Sequence, residues 1–228
     1  MKNILIIIKK EIKDTLKNKA VLIQFVIFPI LTLIMENAID VEGMPDMFFT
    51  KLFSVMYIGM APLTTCSAII SEEKEKNTLR VLMMSNVKPW QYLCGVGIYV
   101  WIICMCGATL MSTGFAGRDV LFYLGVMGVG FAISIVIGGC IGIYAKNQMV
   151  ATSLYMPVFM ILSFVPMLAL FNENIKKVSK IFYTQQLRMI LDDLSFDGFT
   201  PQSAIIILVN ITLAITLFFL IFKKKGLE

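Results

Sequence analysis

The stretch VLFYLGVMGVGFAISIVIGGCIGIYA, residues 120–145, contains no charged side chain. About 20 residues of α-helix cross the ~30 Å hydrocarbon core of a bilayer, so this stretch is long enough to span a membrane. Apolar runs of similar length recur on both sides of it, at residues 20–39, 52–70, 92–115, 149–171 and 204–222. The sequence therefore predicts an all-α, polytopic membrane protein with six transmembrane helices.

The composition leaves little room for a second domain. The 228 residues are 58% hydrophobic and 15% charged, with a mean hydropathy of +0.82, whereas average proteins are about 25% charged. The longest connection between apolar runs, residues 172–203, is too short for a nucleotide-binding domain. We expect one membrane domain over residues 1–228, with the six-helix bundle at residues 20–222.

Basic residues are distributed unevenly across the six predicted crossings. Fourteen of the 20 fall on the side that holds both termini: Lys2, Lys9, Lys10, Lys13, Lys17, Lys19, Lys74, Lys76, Arg80, Lys88, Lys146, Lys223, Lys224 and Lys225. The other side carries Lys51, Arg118, Lys176, Lys177, Lys180 and Arg188. Because cytoplasmic loops carry an excess of Lys and Arg, both termini are predicted to lie in the cytoplasm, with the chain in the cell membrane. The net charge of +5 fits this excess and needs no nucleic acid partner.

Residues 1–19 show the periodicity of an amphipathic helix. At 100° per residue the apolar side chains gather on one face: Ile4, Leu5, Ile8, Ile12 and Leu16. Charged side chains gather on the opposite face: Lys9, Lys10, Lys13, Asp14 and Lys17. The pattern predicts a basic helix lying in the cytoplasmic membrane interface. A charged anchor without a further role is the alternative.

Residues 72–91 form the densest charged segment of the chain. EEKEKNTLR at residues 72–80 is followed by VLMM at residues 81–84 and by Pro89. Its propensity is helical, and Pro89 marks its end or a turn before the third crossing. A solvated loop without a mechanical role is the alternative.

The segment between the fifth and sixth crossings, residues 172–203, is not uniformly polar. Apolar side chains recur in it at helical spacing: Val178, Ile181, Phe182, Ile190 and Leu194. We expect one or two amphipathic helices that lie in the outer leaflet or dip into it, and a solvated cap over the bundle is the alternative.

Two further features concern helix geometry inside the bundle. Gly138 and Gly142 have the spacing that lets helix backbones approach closely, either within one bundle or at a subunit interface or hinge. Pro157 and Pro166 lie within the fifth crossing, where each removes a backbone hydrogen bond and favours a kink.

Several classes of chemistry lack the residues they require. The sequence has no Gly-x-x-x-x-Gly-Lys-Ser/Thr phosphate loop, and no charged residue in the middle of a crossing, as ion relays and charged selectivity rings need. It has no histidine to complete a zinc site with its five cysteines. We assign no catalytic, cofactor-binding or metal-ligating residue, and a membrane-embedded enzyme is disfavoured.

Residues 73–89 resemble the cytoplasmic signature of ABC-2 type permeases, the transmembrane subunits of type V ABC exporters. The matching positions are Glu73, Glu75, Thr78, Leu79, Leu82, Ser85, Val87, Pro89 and Gly95. The chain departs from the pattern at Asn77, Arg80, Asn86 and Val96. Residues 147–166, with Asn147 and both prolines, resemble the start of the family's fifth helix, and the order of elements matches along the whole chain.

The resemblance implies a division of labour between subunits. ATP and Mg²⁺ would be bound and hydrolysed by a separate ABC ATPase, present in two copies, so this chain would be a transport subunit without a cofactor of its own. A second permease, identical or homologous, would complete a dimer. The segment 72–91 would couple to the ATPase, with residues 1–19 as a second contact. The coupling residues would be Glu73, Glu75, Thr78, Leu79, Arg80, Leu82, Met83 and Met84.

The resemblance also suggests a substrate class. Small lysine-rich permeases with EKEK and Met-Met in this segment are similar to those of Gram-positive bacteria that export antimicrobial or cytolytic peptides, such as lantibiotic immunity and phenol-soluble modulin exporters. An amphipathic or hydrophobic peptide is the expected substrate, in export or in immunity. Multidrug or lipid export is one alternative. A non-transporting membrane scaffold or channel-like protein, which would need no ATPase, is the alternative from another class.

Overall fold

The computed structural model describes residues 2–39, 43, 45–194 and 200–225, and in this part of the chain the regular structure is helical. One 3₁₀ turn, Ser112–Gly114, follows the fifth helix. The α-helices in chain order are α1 (Lys2–Lys17), α2 (Lys19–Ala38), α3 (Phe48–Glu75), α4 (Thr78–Met84), α5 (Pro89–Met111), α6 (Arg118–Tyr144), α7 (Gln148–Leu168), α8 (Glu173–Ser179), α9 (Tyr183–Asp193) and α10 (Pro201–Lys225).

Six helical segments among the described residues are long and apolar enough to cross a membrane. They are Val21–Ala38, Phe48–Glu75, Pro89–Gly114, Arg118–Tyr144, Gln148–Leu168 and Pro201–Lys225. The prediction of an all-α chain with six membrane-spanning helices is confirmed at this level of length and composition. Their ends differ by several residues from the apolar runs, most of all in α3, which continues beyond its apolar run at both ends.

The third helix is the centre of the bundle. In its apolar window 83% of the residues are buried, against 11% in α10 at the periphery. It packs against α2, α5, α6 and α7, whereas α10 packs on α6 and α9. Close contact with α6 depends on two glycines. A Cβ atom on Gly138 would strike the carbonyl oxygen of Leu63, and one on Gly142 would come within 2.8 Å of the Cβ of Ile70.

Hydrogen bonds to the backbone of α3 also hold the bundle together. The Ser134 hydroxyl of α6 donates to the carbonyl oxygen of Ile58 over 2.6 Å. The Ser163 hydroxyl of α7 donates to that of Met56 over 3.1 Å. Among apolar side chains such bonds have little competition from water, so they fix the helices around α3.

Helix boundaries near the charged run follow from backbone chemistry. Asn77 adopts a left-handed conformation, with φ of 56°, and separates α3 from α4. Pro89 is the first residue of α5, where its missing N–H costs nothing because that position has no intrahelical acceptor. The side chain of Asn18 accepts a hydrogen bond from the Val21 amide and begins α2 after the short break from α1.

The segment after α7 enters the bundle. It forms α8 and α9, and α9 packs among α3, α6, α7 and α10 with most of its side chains buried. A solvated cap is therefore not the arrangement of residues 183–193. Leu194 ends α9 in a left-handed conformation with φ of 46°, and the remainder of the predicted segment up to residue 199 lies outside the described residues.

Candidate functional site

A charged cleft of about 730 Å³ lies where α1, the start of α2, the end of α3 and the start of α4 meet. Its lining includes four basic and four acidic side chains, so its rim is formally neutral. The basic residues are Lys10, Lys17, Lys19 and Lys76, and the acidic residues are Glu11, Asp14, Glu72 and Glu73. Four of these eight residues come from α1, which makes that helix one wall of the cleft.

The floor of the charged cleft is a buried ionic cluster. The Lys10 ammonium lies 2.9 Å from a Glu11 carboxylate oxygen, 3.5 Å from one of Asp14, and in contact with Glu73. Glu11 is 3% exposed and Glu73 is 6% exposed. The second carboxylate oxygen of Glu73 and the buried hydroxyl of Tyr92 have no hydrogen-bond partner among the described residues. One partly exposed cation thus contacts three carboxylates, of which those of Glu11 and Glu73 are buried and that of Asp14 is exposed.

This excess of acid shifts the titration of the cluster. Burial raises the pKa of Glu11 to about 7, with repulsion from Glu73 adding to the effect and attraction to Lys10 opposing it. Burial lowers the pKa of Lys10, but its hydrogen bonds and attraction to Glu73 and Glu11 outweigh burial and hold that pKa above its usual range. Lys10 therefore keeps its charge, and Glu11 is the member of the pair that exchanges a proton near neutral pH.

Helix α1 places this cluster by docking on α5. Ile7, Glu11 and Thr15, spaced four residues apart, form its buried face. Ile7 lies against Gly95, where a Cβ atom would come within 2.8 Å of the isoleucine. The Tyr99 hydroxyl donates to Thr15 over 2.5 Å. Of the predicted apolar face, Ile8 packs partly against the core, whereas Leu5, Ile12 and Leu16 are exposed.

The predicted coupling residues divide into buried and exposed groups. Leu79 is 1% exposed and Glu73 is buried in the ionic cluster, so neither is available to a partner protein. Leu82 and Met83 pack partly against the core, and the Thr78 hydroxyl donates to the Glu73 carbonyl oxygen. The exposed members of the predicted set are Glu75, Arg80 and Met84.

Sequence reasoning missed two apolar residues of this surface. Val81 is 61% exposed and Trp90 is also exposed, as is the predicted residue Met84 at 81%. We call these three exposed apolar residues, at positions 81, 84 and 90, the apolar patch. Both new members follow directly on motif residues in the sequence, but only the helix geometry separates outward Val81 from inward Leu79 and Leu82.

The end of α3 is also tied to the start of α7. The Glu75 carboxylate accepts a hydrogen bond from the Gln148 backbone amide over 2.9 Å, and the Glu72 carboxylate accepts one from the Gln148 side chain over 3.1 Å. A carboxylate is favourable at this position because helix N-termini carry free N–H donors and partial positive charge. Lys74 donates to the carbonyl oxygen of Ile143 over 2.7 Å, which joins the end of α6 to the same charged run.

The remaining predicted positions are distant from the cleft. Gly138 and Gly142 lie at the contact of α6 with α3, inside one chain. Pro157 and Pro166 both lie within α7, the first exposed and the second buried. No group of three or more His, Cys, Asp or Glu side chains among the described residues is placed to hold a metal ion.

Taken together, the charged cleft and the apolar patch offer a partner both charge and apolar contact at one end of the bundle. The patch can bury apolar area, and the neighbouring charges can set the orientation of a bound protein.

No family model matches the sequence, and a search of curated proteins finds no significant match.

Proposed function

We propose that the chain is the permease subunit of an ATP-driven exporter of the ABC-2 type, resident in the cell membrane with both termini in the cytoplasm. The observation that carries this proposal is the exposed apolar surface of α4, at Val81 and Met84, on the helix whose first residue, Thr78, lines the charged cleft. Most of the basic residues fall on the same side of the predicted crossings as α4, as the positive-inside rule requires of a cytoplasmic surface. The likeness of residues 73–89 to the ABC-2 signature supports the same reading.

The chain's own task in this proposal is to transmit motion. Helix α4 follows α3 after a two-residue turn, and α3 contacts most of the bundle. Glu75 links the same region to α7, and Glu73 links it to α1 through Lys10. Displacement of α4 by a partner would therefore act on α1, α3 and α7 together. A partner shifts the bundle only as far as it binds one arrangement better than the other.

ATP and Mg²⁺ belong in this proposal to the partner ATPase, in two copies. A second permease, identical or homologous, would complete the transport path. One face of α7 supports such pairing, since Met149, Met156 and Met160 are exposed along it. Flexible thioether side chains suit a contact that repacks during transport.

The proposed substrate is an amphipathic or hydrophobic molecule, with antimicrobial or cytolytic peptides first and drugs or lipids second. The absence of charged residues from the middle of the six apolar runs supports an apolar cargo over an ion. A membrane scaffold or channel-like protein is the candidate from another class, and it differs in requiring no ATPase.

The test is co-purification of the detergent-solubilised chain with the products of neighbouring genes, followed by an assay of ATP hydrolysis. The variant Val81→Asp places a charge in the apolar patch and is expected to abolish association with an ATPase. Val178→Asp is the matched control, because Val178 is also 61% exposed but lies on α8, away from α4.

Equal recovery of the ATPase with both variants would remove the apolar patch from the interface. An unaltered chain that recovers no ATPase would contradict the permease assignment and favour the scaffold or channel-like protein. A panel of amphipathic helical peptides and small drugs, tested for stimulation of ATP hydrolysis, then separates the substrate classes.

A further inference from the structure

A second, smaller cavity lies at the opposite end of α3 from the charged cleft. It has a volume of about 190 Å³ and is formed by the start of α3, the residues just after α7, and α9. We call it the outer cavity. Its walls include Phe48, Lys51, Leu52, Leu170, Arg188 and Asp192. Cations and apolar side chains thus share one small space.

The charges of the outer cavity do not balance. The Arg188 guanidinium, 6% exposed, lies 3.4 Å from the Asp192 carboxylate, and its buried Nε has no hydrogen-bond partner among the described residues. Lys51 donates to the backbone carbonyl oxygen of Asp192 over 3.0 Å and forms no ion pair with its carboxylate. Two cations therefore line the cavity, and only Arg188 contacts the Asp192 carboxylate. Burying a guanidinium costs free energy unless its charge is paired and its N–H groups are hydrogen-bonded.

The same helix carries further unpaired polar atoms. Thr184 and Gln185 precede Arg188 on α9, and the hydroxyl of the first and both amide atoms of the second are buried without partners among the described residues. Buried polar groups are nearly always hydrogen-bonded in native structures. Of these α9 residues only Arg188 lines the outer cavity, so its Nε is the unpaired buried donor that a molecule bound there can meet.

Size and position identify the kind of molecule. Sites for whole small ligands measure roughly 300–1,000 Å³, so 190 Å³ accommodates an anionic headgroup and not a peptide helix. The apolar walls Phe48, Leu52 and Leu170 lie where α3 begins and α7 has ended. These ends of spanning helices are at the depth of lipid headgroups.

We propose that the outer cavity binds the phosphate headgroup of an anionic phospholipid, in the leaflet opposite the chain's termini. Arg188 and Lys51 contact the phosphate, and the apolar walls lead its acyl chains back into the bilayer. Asp192 competes with the lipid for Arg188. This inference does not depend on an ATPase partner, and the choice of leaflet alone rests on the proposed orientation.

The experiment uses the purified full chain in neutral detergent, with thermal unfolding and native mass spectrometry as readouts. Dioctanoyl phosphatidylglycerol is expected to raise Tm and to bind one molecule per chain, whereas dioctanoyl phosphatidylcholine is not. Lys51→Gln should weaken the phosphatidylglycerol affinity at least about tenfold, the value of a hydrogen bond to a charged group. Lys177→Gln removes the same charge from an exposed position on α8 and should change nothing.

A variant that is expected to raise the lipid affinity, instead of lowering it, separates ligand binding from a purely structural role. Asp192→Asn removes the competing carboxylate but keeps the backbone carbonyl that accepts from Lys51, so the phosphatidylglycerol affinity should rise about threefold. Loss of an internal ion pair with no ligand would produce no such gain. Because Lys51 is only half-buried, its variant keeps the test valid even where a change at Arg188 unfolds the protein.

Four results would overturn the proposal. Equal binding of the two lipids is one, and equal behaviour of Lys51→Gln and Lys177→Gln is another. Stabilisation by inorganic phosphate as strong as that by phosphatidylglycerol would make this a free-anion site. Lys51-dependent binding of an amphipathic peptide with a free C-terminal carboxylate, but not of its amidated form or of the lipid, would make it a substrate site. None of these measurements uses an ATPase, so their results do not depend on whether the chain is a permease.

Discussion

The two ends of α3 carry opposite charge imbalances. At the charged cleft one ammonium, that of Lys10, faces three carboxylates. At the outer cavity two cations, Lys51 and Arg188, line the site with one carboxylate, that of Asp192, and only Arg188 pairs with it. The first end can relieve its imbalance with a proton, because burial raises the pKa of Glu11 to about 7. The second end has no cation that gives up its charge so readily, since arginine stays protonated at any physiological pH. The proposed lipid phosphate would supply the missing negative charge there.

The largest expected effect comes from removing Lys10, the one cation of the ionic cluster on the floor of the charged cleft. Lys10→Met leaves two buried carboxylates without a partner and is expected to lower the free energy of unfolding by about 3 kcal/mol. Lys51→Met should cost under about 1 kcal/mol, because Arg188 still compensates Asp192. Denaturant unfolding in mixed micelles measures both.

Lys13→Met is the matched control for the first change, since Lys13 is exposed on the same helix. The double variant Lys10→Met with Glu73→Gln should recover part of the loss. A single variant as stable as the control would show that the three carboxylates do not depend on Lys10.

The pH dependence of stability sharpens the contrast. Burial raises the pKa of Glu11 from its ordinary value of 4.5 to about 7, so between these values the folded state binds more protons than the unfolded state. The stabilising contribution of Glu11 is then complete below pH 4.5 and falls as pH rises towards 7, by about 3 kcal/mol in all. Burial also raises the pKa of Asp192, against the attraction of Arg188 and Lys51, and this contributes with the same sign.

One variant at each end of α3 separates the two contributions to this pH dependence. Glu11→Gln should remove most of the decline between pH 4.5 and 7, and Asp192→Asn should remove a smaller share at the acidic side of that range. Unfolding midpoints measured across this range give both slopes. An unchanged slope in Glu11→Gln would contradict the burial of an ionisable group on the floor of the cleft.

The smallest expected effect concerns the link from α3 to α7. Glu75→Gln keeps a hydrogen-bond acceptor for the Gln148 amide but removes the charge at the helix N-terminus, which should cost about 0.5 kcal/mol. Glu173→Gln removes a carboxylate at the start of α8 that pairs only within its own helix, so it controls for loss of charge at a helix N-terminus without a link between helices. The decisive measurement is the effect of Glu75→Gln on any partner-stimulated transport, where a loss much larger than the loss of stability would mark α7 as part of the transmitted motion.

The sequence predicts the helices of this protein well and their buried faces poorly. Apolar runs identify the six spanning segments because length and hydropathy alone determine which helices suit a bilayer. Hydropathy does not identify the side of α1 that meets the rest of the protein, and the predicted interfacial position of this helix stays a prediction. Its apolar residues Leu5, Ile12 and Leu16 point outward, and the buried face holds Glu11 and Thr15. In a membrane, an outward apolar face meets lipid, so hydrophobicity does not identify the face that meets protein.

The two candidate sites also differ in how much of each the sequence predicts. The charged run at residues 72–80 is visible in the sequence, and it predicts where a partner would bind. Which of its neighbours are exposed depends on helix rotation, which places Leu79 inside and Val81 outside. The outer cavity is not visible at all, because Lys51 and Asp192 are 141 positions apart and meet only when α9 packs against the start of α3.

One property of α3 has a mechanical consequence. The helix runs for 28 residues from Phe48 to Glu75, and at 1.5 Å per residue it is a rod about 42 Å long. The outer cavity touches one tip of this rod and the charged cleft touches the other. A lipid bound at the first tip and a protein bound at the second would both contact the same helix. Because coupling between two binding events is reciprocal, lipid composition would tune the partner's affinity as much as the partner tunes that of the lipid.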